Sequence, residues 1–399
     1  MKILFLIPEL GYGGAETALL RLATELASRH TIKLAVFKRT YQVQGYSTPA
    51  LNVPFPLVEL DQGDPKTPNT PLTSIWRWKR RATALIQLKQ QHDITISFLS
   101  GPNLLNALIL CGKPCVISER GSKRYDKDRS PLSRWLWCGI LDRIAYWRAN
   151  RIVCVSEGLS NEVRSSLPPH LHSKVITVAG YLDPGQALAA SDAPIEPELL
   201  PLAKRPILVS AGRLHPQKGF HYLLPLFAQV ATQVSGSGLL LIGDGPQQQQ
   251  LVAQAQALGL SVSISHGNTP LNANAQVIFL GYRRQPARYT RLGRAFVFSS
   301  LYEGLPNLLL EALAAGSWSL AADCPHGPAE VIQNPKLGYL LPPISDPQNS
   351  KQWVMALKQA LERPAEQRLE AQLRTQLAHQ FSIQSTAQRW EDLLQALVA

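Results

Sequence analysis

The 399 residues are too many for one ordinary core, so two domains are expected. The composition is globular, 45% hydrophobic and 17% charged, and no apolar run reaches the roughly 18 residues that a membrane-spanning helix needs. The net charge of +12 is uneven: residues 1–185 hold 24 Lys and Arg against 14 Asp and Glu, and the remainder holds 16 against 14. That asymmetry points to an anionic partner of the first half, whether a membrane surface, a phosphorylated lipid or nucleic acid.

In chain order, Lys2 to Ile7 reads as a buried strand rather than a signal peptide, because Pro8-Glu9 follows at once. A glycine turn, Gly11-Tyr12-Gly13-Gly14, leads into a helix over Ala15 to Arg29, with Leu19, Leu22, Ala23 and Leu26 on one face. A second strand spans 32–37, and residues 49–71 read as a loop rich in Pro, Gly and Asp. Apolar runs of strand length at 94–99, 115–118 and 152–155 alternate with helical stretches, the signature of a parallel sheet covered on both faces. Residues 183–205 read as a linker. The strand–loop–helix pattern restarts at 207–210 and continues through strands at 238–242, 277–280, 295–298 and 318–321. Residues 382–399 read as an amphipathic helix carrying Trp390, Leu393, Leu394 and Leu397. The fold class is therefore α/β, with two similar domains in tandem: 1–185, on which helix 382–399 packs back, and 186–381. Cys111, Cys115, Cys138, Cys154 and Cys324 form no metal-ligand pairs and read as reduced thiols of a cytoplasmic protein.

The first glycine turn nearly fits the dinucleotide fingerprint at Gly11 and Gly13, but Glu16 stands at the third glycine position. Lys38 and Arg39 end the second strand where an acid would be needed. A dinucleotide oxidoreductase is disfavoured. Two readings remain: a tight turn in which Glu16 complements the helix dipole, or a loop whose backbone faces a ligand in an interdomain cleft.

The second half carries four features in order. Ser210-Ala211-Gly212-Arg213 and Lys218-Gly219 place two cations between a strand and a helix, where a diphosphate would meet the planar fork of Arg and the point charge of Lys. Gly243-Asp244-Gly245-Pro246 is a turn between strand and helix. In Glu303-Gly304-Leu305-Pro306-Asn307 and onward to Gly316, Pro306 suits the first helical position, so the amides of Leu305 to Leu308 would face an anion. Glu311 is the only charge in that apolar helix start, and a pair of sugar hydroxyls would satisfy it. Glu303, eight residues earlier, could reach a second sugar ring. Last comes Asp323-Cys324-Pro325-His326-Gly327-Pro328, a junction placed to close such a pocket.

Taken together, these residues resemble the retaining GT-B glycosyltransferases of family 4. The resemblance extends from Gly13-Gly14-Ala15-Glu16 to Ile332. It implies a GT-B fold, two Rossmann-like domains facing across a cleft, and transfer of a hexose or N-acetylhexosamine from a nucleotide sugar, with a lean to UDP. By resemblance, Glu303 holds the donor sugar, Glu311 the ribose, and Arg213 and Lys218 the diphosphate. Gly13, Gly14, Gly212, Gly243, Leu305, Pro306 and Asn307 would line the donor site, and the loop reaching Tyr282 would contact the base. Neither cofactor nor metal is implied. The run Ser118-Glu119-Arg120 is similar to enzymes of bacterial polysaccharide and lipid-linked oligosaccharide synthesis, and it makes Glu119 a catalytic candidate on the acceptor side. Departures are the lack of a His beside Glu119, Gly293-Arg294 in place of Ala-Asp, and Trp318 in place of a common proline.

The acceptor, a glycan or a polyprenyl-linked saccharide, is expected on the first domain. Residues 120–151 interleave Arg120, Lys123, Arg124, Lys127 and further arginines with Trp135, Trp137, Tyr146 and Trp147, and Trp76 to Arg81 form a second such cluster. Cations among Trp and Tyr suit the anionic inner face of the plasma membrane, to which a cytoplasmic enzyme would bind peripherally. The same pattern also fits a solvated basic face with Trp in the core. A nucleic-acid-binding protein would leave Glu303 and Glu311 unexplained and lacks a recognised module. A sugar-nucleotide epimerase of the same fold and an inactive nucleotide-sugar binder remain open.

Overall fold

A computed structural model describes residues 1–11, 13–38, 42–43, 46–47, 53–61, 71–109, 111–126, 129–190, 192–265, 271–364 and 368–398. Tyr12, Arg39, Lys127 and most of the loop expected at 49–71 lie outside the described residues. The chain divides into two units, Met1–Tyr181 with Ile383–Ala399, and Leu182–Ser382.

The first unit is built on seven strands: β1 (Lys2–Ile7), β2 (Thr31–Val36), β3 (Leu57–Glu59), β4 (Ile94–Phe98), β5 (Cys115–Glu119), β6 (Arg151–Cys154) and β7 (Val175–Thr177). Their order is β3-β2-β1-β4-β5-β6-β7, and every pairing is parallel. Strands β4 and β5 are buried along their whole length, as parallel strands must be when helices cover both faces. The helices are α1 (Gly14–Leu26), α2 (Pro71–Gln90), α3 (Ser100–Leu108), α4 (Pro131–Leu136), α5 (Asp142–Arg148) and α6 (Glu157–Ser165). A π-helical turn, Trp137–Leu141, joins α4 to α5. Helices α2, α3 and α5 form one layer: Leu85 and Leu88 of α2 share a core with Leu105 of α3 and Leu4 and Leu6 of β1. The buried Lys89 ammonium ties α2 to α3, donating to Asn106 Oδ1 at 3.0 Å and to the Ile109 carbonyl at 2.8 Å. Arg148 Nε ties α5 to α3 through the Ala107 carbonyl at 3.1 Å.

The second unit repeats the plan. Its strands are β8 (Ile207–Ala211), β9 (Gly238–Ile242), β10 (Val262–Ile264), β11 (Val277–Gly281), β12 (Ala295–Phe298), β13 (Ser319–Ala322) and β14 (Gly338–Leu341), in the order β10-β11-β9-β8-β12-β13-β14 and again all parallel. Its helices are α7 (Pro184–Ala189), α8 (Phe220–Ala231), α9 (Gln248–Ala257), α10 (Asn307–Ala314), α11 (Pro328–Val331), α12 (Ser350–Leu361) and α13 (Ala371–Gln380). The segment expected to be a linker is ordered into this unit: Asp183 caps α7 by accepting from Gln186 N at 3.0 Å, and Pro197–Lys204 forms 3₁₀ turns. Of the prolines that suggest a linker, Pro184 and Pro197 open these short helices, where a missing N–H costs nothing, and Pro201 lies within the 3₁₀ segment.

The last helix, α14 (Ile383–Val398), belongs to the first unit. Its Trp390 is fully buried, stacks on Phe98 at 6.4 Å and donates from Nε1 to the Tyr181 hydroxyl at 3.2 Å. Trp318, the residue in place of a common proline, is buried edge-on to Tyr339 at 4.9 Å under the Arg363 guanidinium.

Candidate functional site

In a parallel sheet every βα loop leaves at the same edge, so loops distant in sequence meet there. In the second unit five adjacent strands, β11, β9, β8, β12 and β13, deliver Tyr282, Gly243, Arg213, Glu303 and the 323–327 junction to that edge. Backbone hydrogen bonds lace the loops together. Gly212 N donates to the Ile242 carbonyl at 2.9 Å, Leu214 N to Asp244 at 2.9 Å, and Gly243 N to Gly281 at 2.9 Å. Gly243 has φ +139°, and a Cβ there would run into the Gly212 carbonyl. Only glycine allows the two loops to pass this closely.

Lys218 closes a 3₁₀ turn, Pro216–Lys218, which Gly219 ends at φ +68°. The turn is stitched to the loop after β12: Ser299 Oγ donates to the Lys218 carbonyl at 2.7 Å, Leu301 N to Gln217 at 2.8 Å, and Gln217 Nε2 to the Tyr302 carbonyl at 2.9 Å. This places Lys218 Nζ 2.5 Å from Glu303 Oε1, 85 residues away in sequence. Their side chains are 18% and 10% exposed, so the ion pair is largely shielded from water. Glu303 N donates to the Pro325 carbonyl at 3.1 Å, and Gly327 packs against Pro306 Cδ and the Gly304 carbonyl, which fixes the 323–327 junction beside the loop entering α10. His326 and Gly327 both adopt positive φ here, 67° and 93°. Burial and the Glu303 carboxylate push the nearby Cys324 thiol upward, away from reactivity.

Pro306 is not the first helical residue. It caps α10, which starts at Asn307, and Asn307 N already donates to the Leu305 carbonyl at 3.0 Å. The amides that α10 can offer an anion are therefore those of Leu308 and Leu309, whose positions in the first turn lack an intrahelical acceptor. Leu305 and Pro306 are buried, whereas Asn307 and Glu311 are half-buried on the same helix start. Arg213 and Tyr282 are exposed.

In the first unit Gly13 is the extended N-cap of α1 and Gly14 its first residue, and Glu16 folds back so that a Cβ on Gly13 would meet its carboxylate. Glu119, at the end of β5, is buried: its Oε1 accepts from Asn103 Nδ2 at 3.1 Å and pairs with Lys123 Nζ at 3.1 Å. Lys123 pairs also with Asp142 at 2.7 Å, and these two carboxylates hold its ammonium pKa above the usual range despite burial. Burial pushes Asp142 up to about 6, against the pull of Lys123. One expectation changes: Lys123 is a largely shielded counter-ion between two carboxylates, not a surface cation, and Glu119 is held in place by Asn103 and Lys123. Arg120 is half-buried: its guanidinium lies over the Phe98 and Tyr181 rings at 5.5 and 4.2 Å, and desolvation lowers its pKa. Arg124 and Trp135 are exposed, while Trp137 is half-buried under Arg129 at 5.7 Å. The cluster read as one surface is thus split between interior and exterior.

The chain matches the model "Glycosyltransferase Family 4" over residues 12–178 and "Glycosyl transferases group 1" over residues 193–377. The chain belongs to the GT-B glycosyltransferases of family 4. The first unit holds the part matched by the former model and the second unit the part matched by the latter. It is similar to an uncharacterized glycosyltransferase of Methanocaldococcus jannaschii, 26% identical over 47% of this chain and 43% of the relative. It is also similar to the N-acetylgalactosamine-N,N'-diacetylbacillosaminyl-diphospho-undecaprenol 4-alpha-N-acetylgalactosaminyltransferase of Campylobacter jejuni, 26% identical over 40% of this chain and 38% of the relative. The chain thus matches less than half the length of these curated relatives. Among solved structures, Anabaena Alr3699/HepE in complex with UDP-glucose superposes with a TM-score of 0.74 over 100% of both chains at 18% identity, a likeness of fold.

Proposed function

We propose that this GT-B protein transfers a hexose or N-acetylhexosamine, with retention, from a nucleotide sugar to a glycan or lipid-linked acceptor in cell-surface polysaccharide synthesis. The single observation that carries the donor half is the convergence of Arg213, Lys218 and Glu303 at one edge of the second sheet. Lys218 and Arg213 supply the two charges a leaving diphosphate needs, and the free amides of Leu308 and Leu309 add a helix N-terminus. Glu303, freed from Lys218 when the diphosphate takes that cation, accepts from donor-sugar hydroxyls, and Glu311 accepts from the ribose. Tyr282, exposed at the exit of β11, stacks on the base, which we take as uracil. The Anabaena neighbour holding UDP-glucose is in keeping with that donor class. The acceptor class is supported by the likeness to the Campylobacter relative, whose acceptor is a saccharide on diphospho-undecaprenol. The leaving phosphate takes the acceptor proton, so no enzymic base is assigned.

A panel of nucleotide sugars tests this by thermal shift and by release of nucleoside diphosphate with a polyprenyl-diphosphate saccharide. A UDP-sugar should raise the melting temperature, and transfer should produce a glycosylated acceptor. Arg213→Ala should keep the unliganded melting temperature, since the side chain is exposed, and lower kcat by about 10²–10³. Binding of no nucleotide sugar at all, or unchanged turnover in Arg213→Ala, would remove the assignment. Isomerised donor without acceptor glycosylation would favour an epimerase.

A further inference from the structure

The stretch from Pro131 to Arg148 is helical throughout, from α4 through the π turn into α5. One face is interior: Asp142, Ala145 and Tyr146 are buried. The opposite face carries Leu132, Trp135, Leu136, Ile140, Ile144 and Trp147, at spacings of three or four residues apart from the adjacent Trp135 and Leu136. All are exposed, Leu132 by 73%, Trp147 by 64% and Trp135 by 61%. Six large apolar side chains exposed along one helical stretch form a contiguous apolar patch, the kind of surface that marks an interaction site. The other helix of the same layer that exposes large side chains near its start is α2, with Ile75 and Trp76.

The charge along this helical stretch itself is one-sided. Between Arg129 and Ser156 the only acid is Asp142, and it is buried against Lys123. The same interval carries Arg134, Arg143, Arg148 and Arg151. Arg143 and Arg148 lie along α5 and donate to backbone carbonyls, Ser166 at 3.0 Å and Ala107 at 3.1 Å, rather than to carboxylates. Their charge is therefore not neutralised by those contacts. Among the described residues no helix is long and apolar enough to cross a membrane.

We infer that this helical face lies in the plane of an anionic lipid bilayer, its apolar stripe among the acyl chains and its arginines at the phosphates. An apolar face flanked by cations, on a helix that cannot span, is the chemistry of interfacial binding. A second copy of this chain would bring the same arginines against each other, so charge favours the lipid. The inference rests on a lipid-linked acceptor, because such a surface would hold the enzyme where that acceptor resides. It moves the contact away from Arg120 and Lys123, whose charged groups are engaged with Phe98 and Tyr181 and with Glu119 and Asp142, onto the stripe and its exposed flank.

The test uses the full chain with phosphatidylglycerol-rich vesicles, and pure phosphatidylcholine vesicles as control. Wild type should float with the anionic vesicles and be weakened by salt. Brominated acyl chains should quench its Trp fluorescence. Trp135→Ser with Trp147→Ser should lower the vesicle partition coefficient by at least ~10-fold and remove the added quenching, while the melting-temperature rise with UDP-sugar stays as in wild type. That rise reads the donor site, to which neither tryptophan is assigned, and separates failure of this inference from failure of the donor assignment. Flotation of the double variant equal to wild type, absence of wild-type flotation, or absence of bromolipid quenching would each overturn it. So would a wild-type dimer in sedimentation velocity that ignores vesicles and is dissolved by the same two substitutions.

Discussion

Replacing Glu303 with Gln separates the two duties assigned to the Lys218–Glu303 pair. The ions stand 2.5 Å apart with side chains 18% and 10% exposed. At an effective dielectric constant of about 20 their direct attraction is roughly 6–7 kcal/mol. Most of that is offset by desolvation, and stranding one member of such a pair costs about 3–5 kcal/mol when fully buried. Because water still reaches Lys218, and because Gln keeps one acceptor for it, about 1–2 kcal/mol is the expected loss of stability. The effect on ligand binding has the opposite sign. In wild type a diphosphate must take Lys218 from a carboxylate and approach that carboxylate's negative charge. In Glu303→Gln both penalties shrink, so UDP itself should bind about 5–10-fold tighter, roughly 1–1.4 kcal/mol. Turnover of a UDP-sugar should nevertheless fall, because the sugar hydroxyls lose their acceptor. Lys218→Ala, by contrast, should weaken UDP binding. Calorimetric titration of UDP into the three proteins, with urea unfolding of each, reads all of these quantities. Equal or weaker UDP binding by Glu303→Gln, together with unchanged binding by Lys218→Ala, would refute the competition and with it the placement of the diphosphate.

Gly243→Ala should destabilise the second unit by about 2–4 kcal/mol, because the Cβ meets the Gly212 carbonyl and both loops must move; urea unfolding and UDP affinity should fall together. Asp142 gives a pH signature. Its folded pKa of about 6 lies above the unfolded value near 3.9, so its contribution is full below about pH 4 and is lost as pH rises through about 6. Asp142→Asn should therefore flatten the fall of stability as pH rises through this range relative to wild type, measured by denaturant midpoints. A parallel profile in the variant would show that Asp142 titrates normally.

The double α/β plan was legible because parallel strands covered on both faces must be short, apolar and separated by helical stretches. The strands at 94–99, 115–118, 207–210 and 238–242 follow from that pattern alone. The donor candidates were legible for a related reason: glycines, a lone carboxylate and paired cations directly after strands have few purely structural uses. Their partners were not. Nothing local pairs Lys218 with Glu303 or Gln217 with Tyr302, since these contacts join loops of adjacent strands about 85 residues apart. The short strands at 57–59, 175–177 and 262–264 also escaped, three residues being too few to show a period.

Residue types along the chain determined that there are two parallel sheets, where their loops emerge and which charges stand at those loops. Which charges face outward was decided only by packing. Arg120, Lys123 and Arg124 look alike in sequence, yet the first lies over Phe98 and Tyr181, the second between Glu119 and Asp142, and the third in water. Leu132, Ile140 and Ile144 have the spacing of a core-facing stripe, and the tertiary structure turned that stripe outward because the other side of the helix already fills the contact with α3. A period of three to four residues fixes that a helix has two faces; only the neighbouring elements fix which of them is covered.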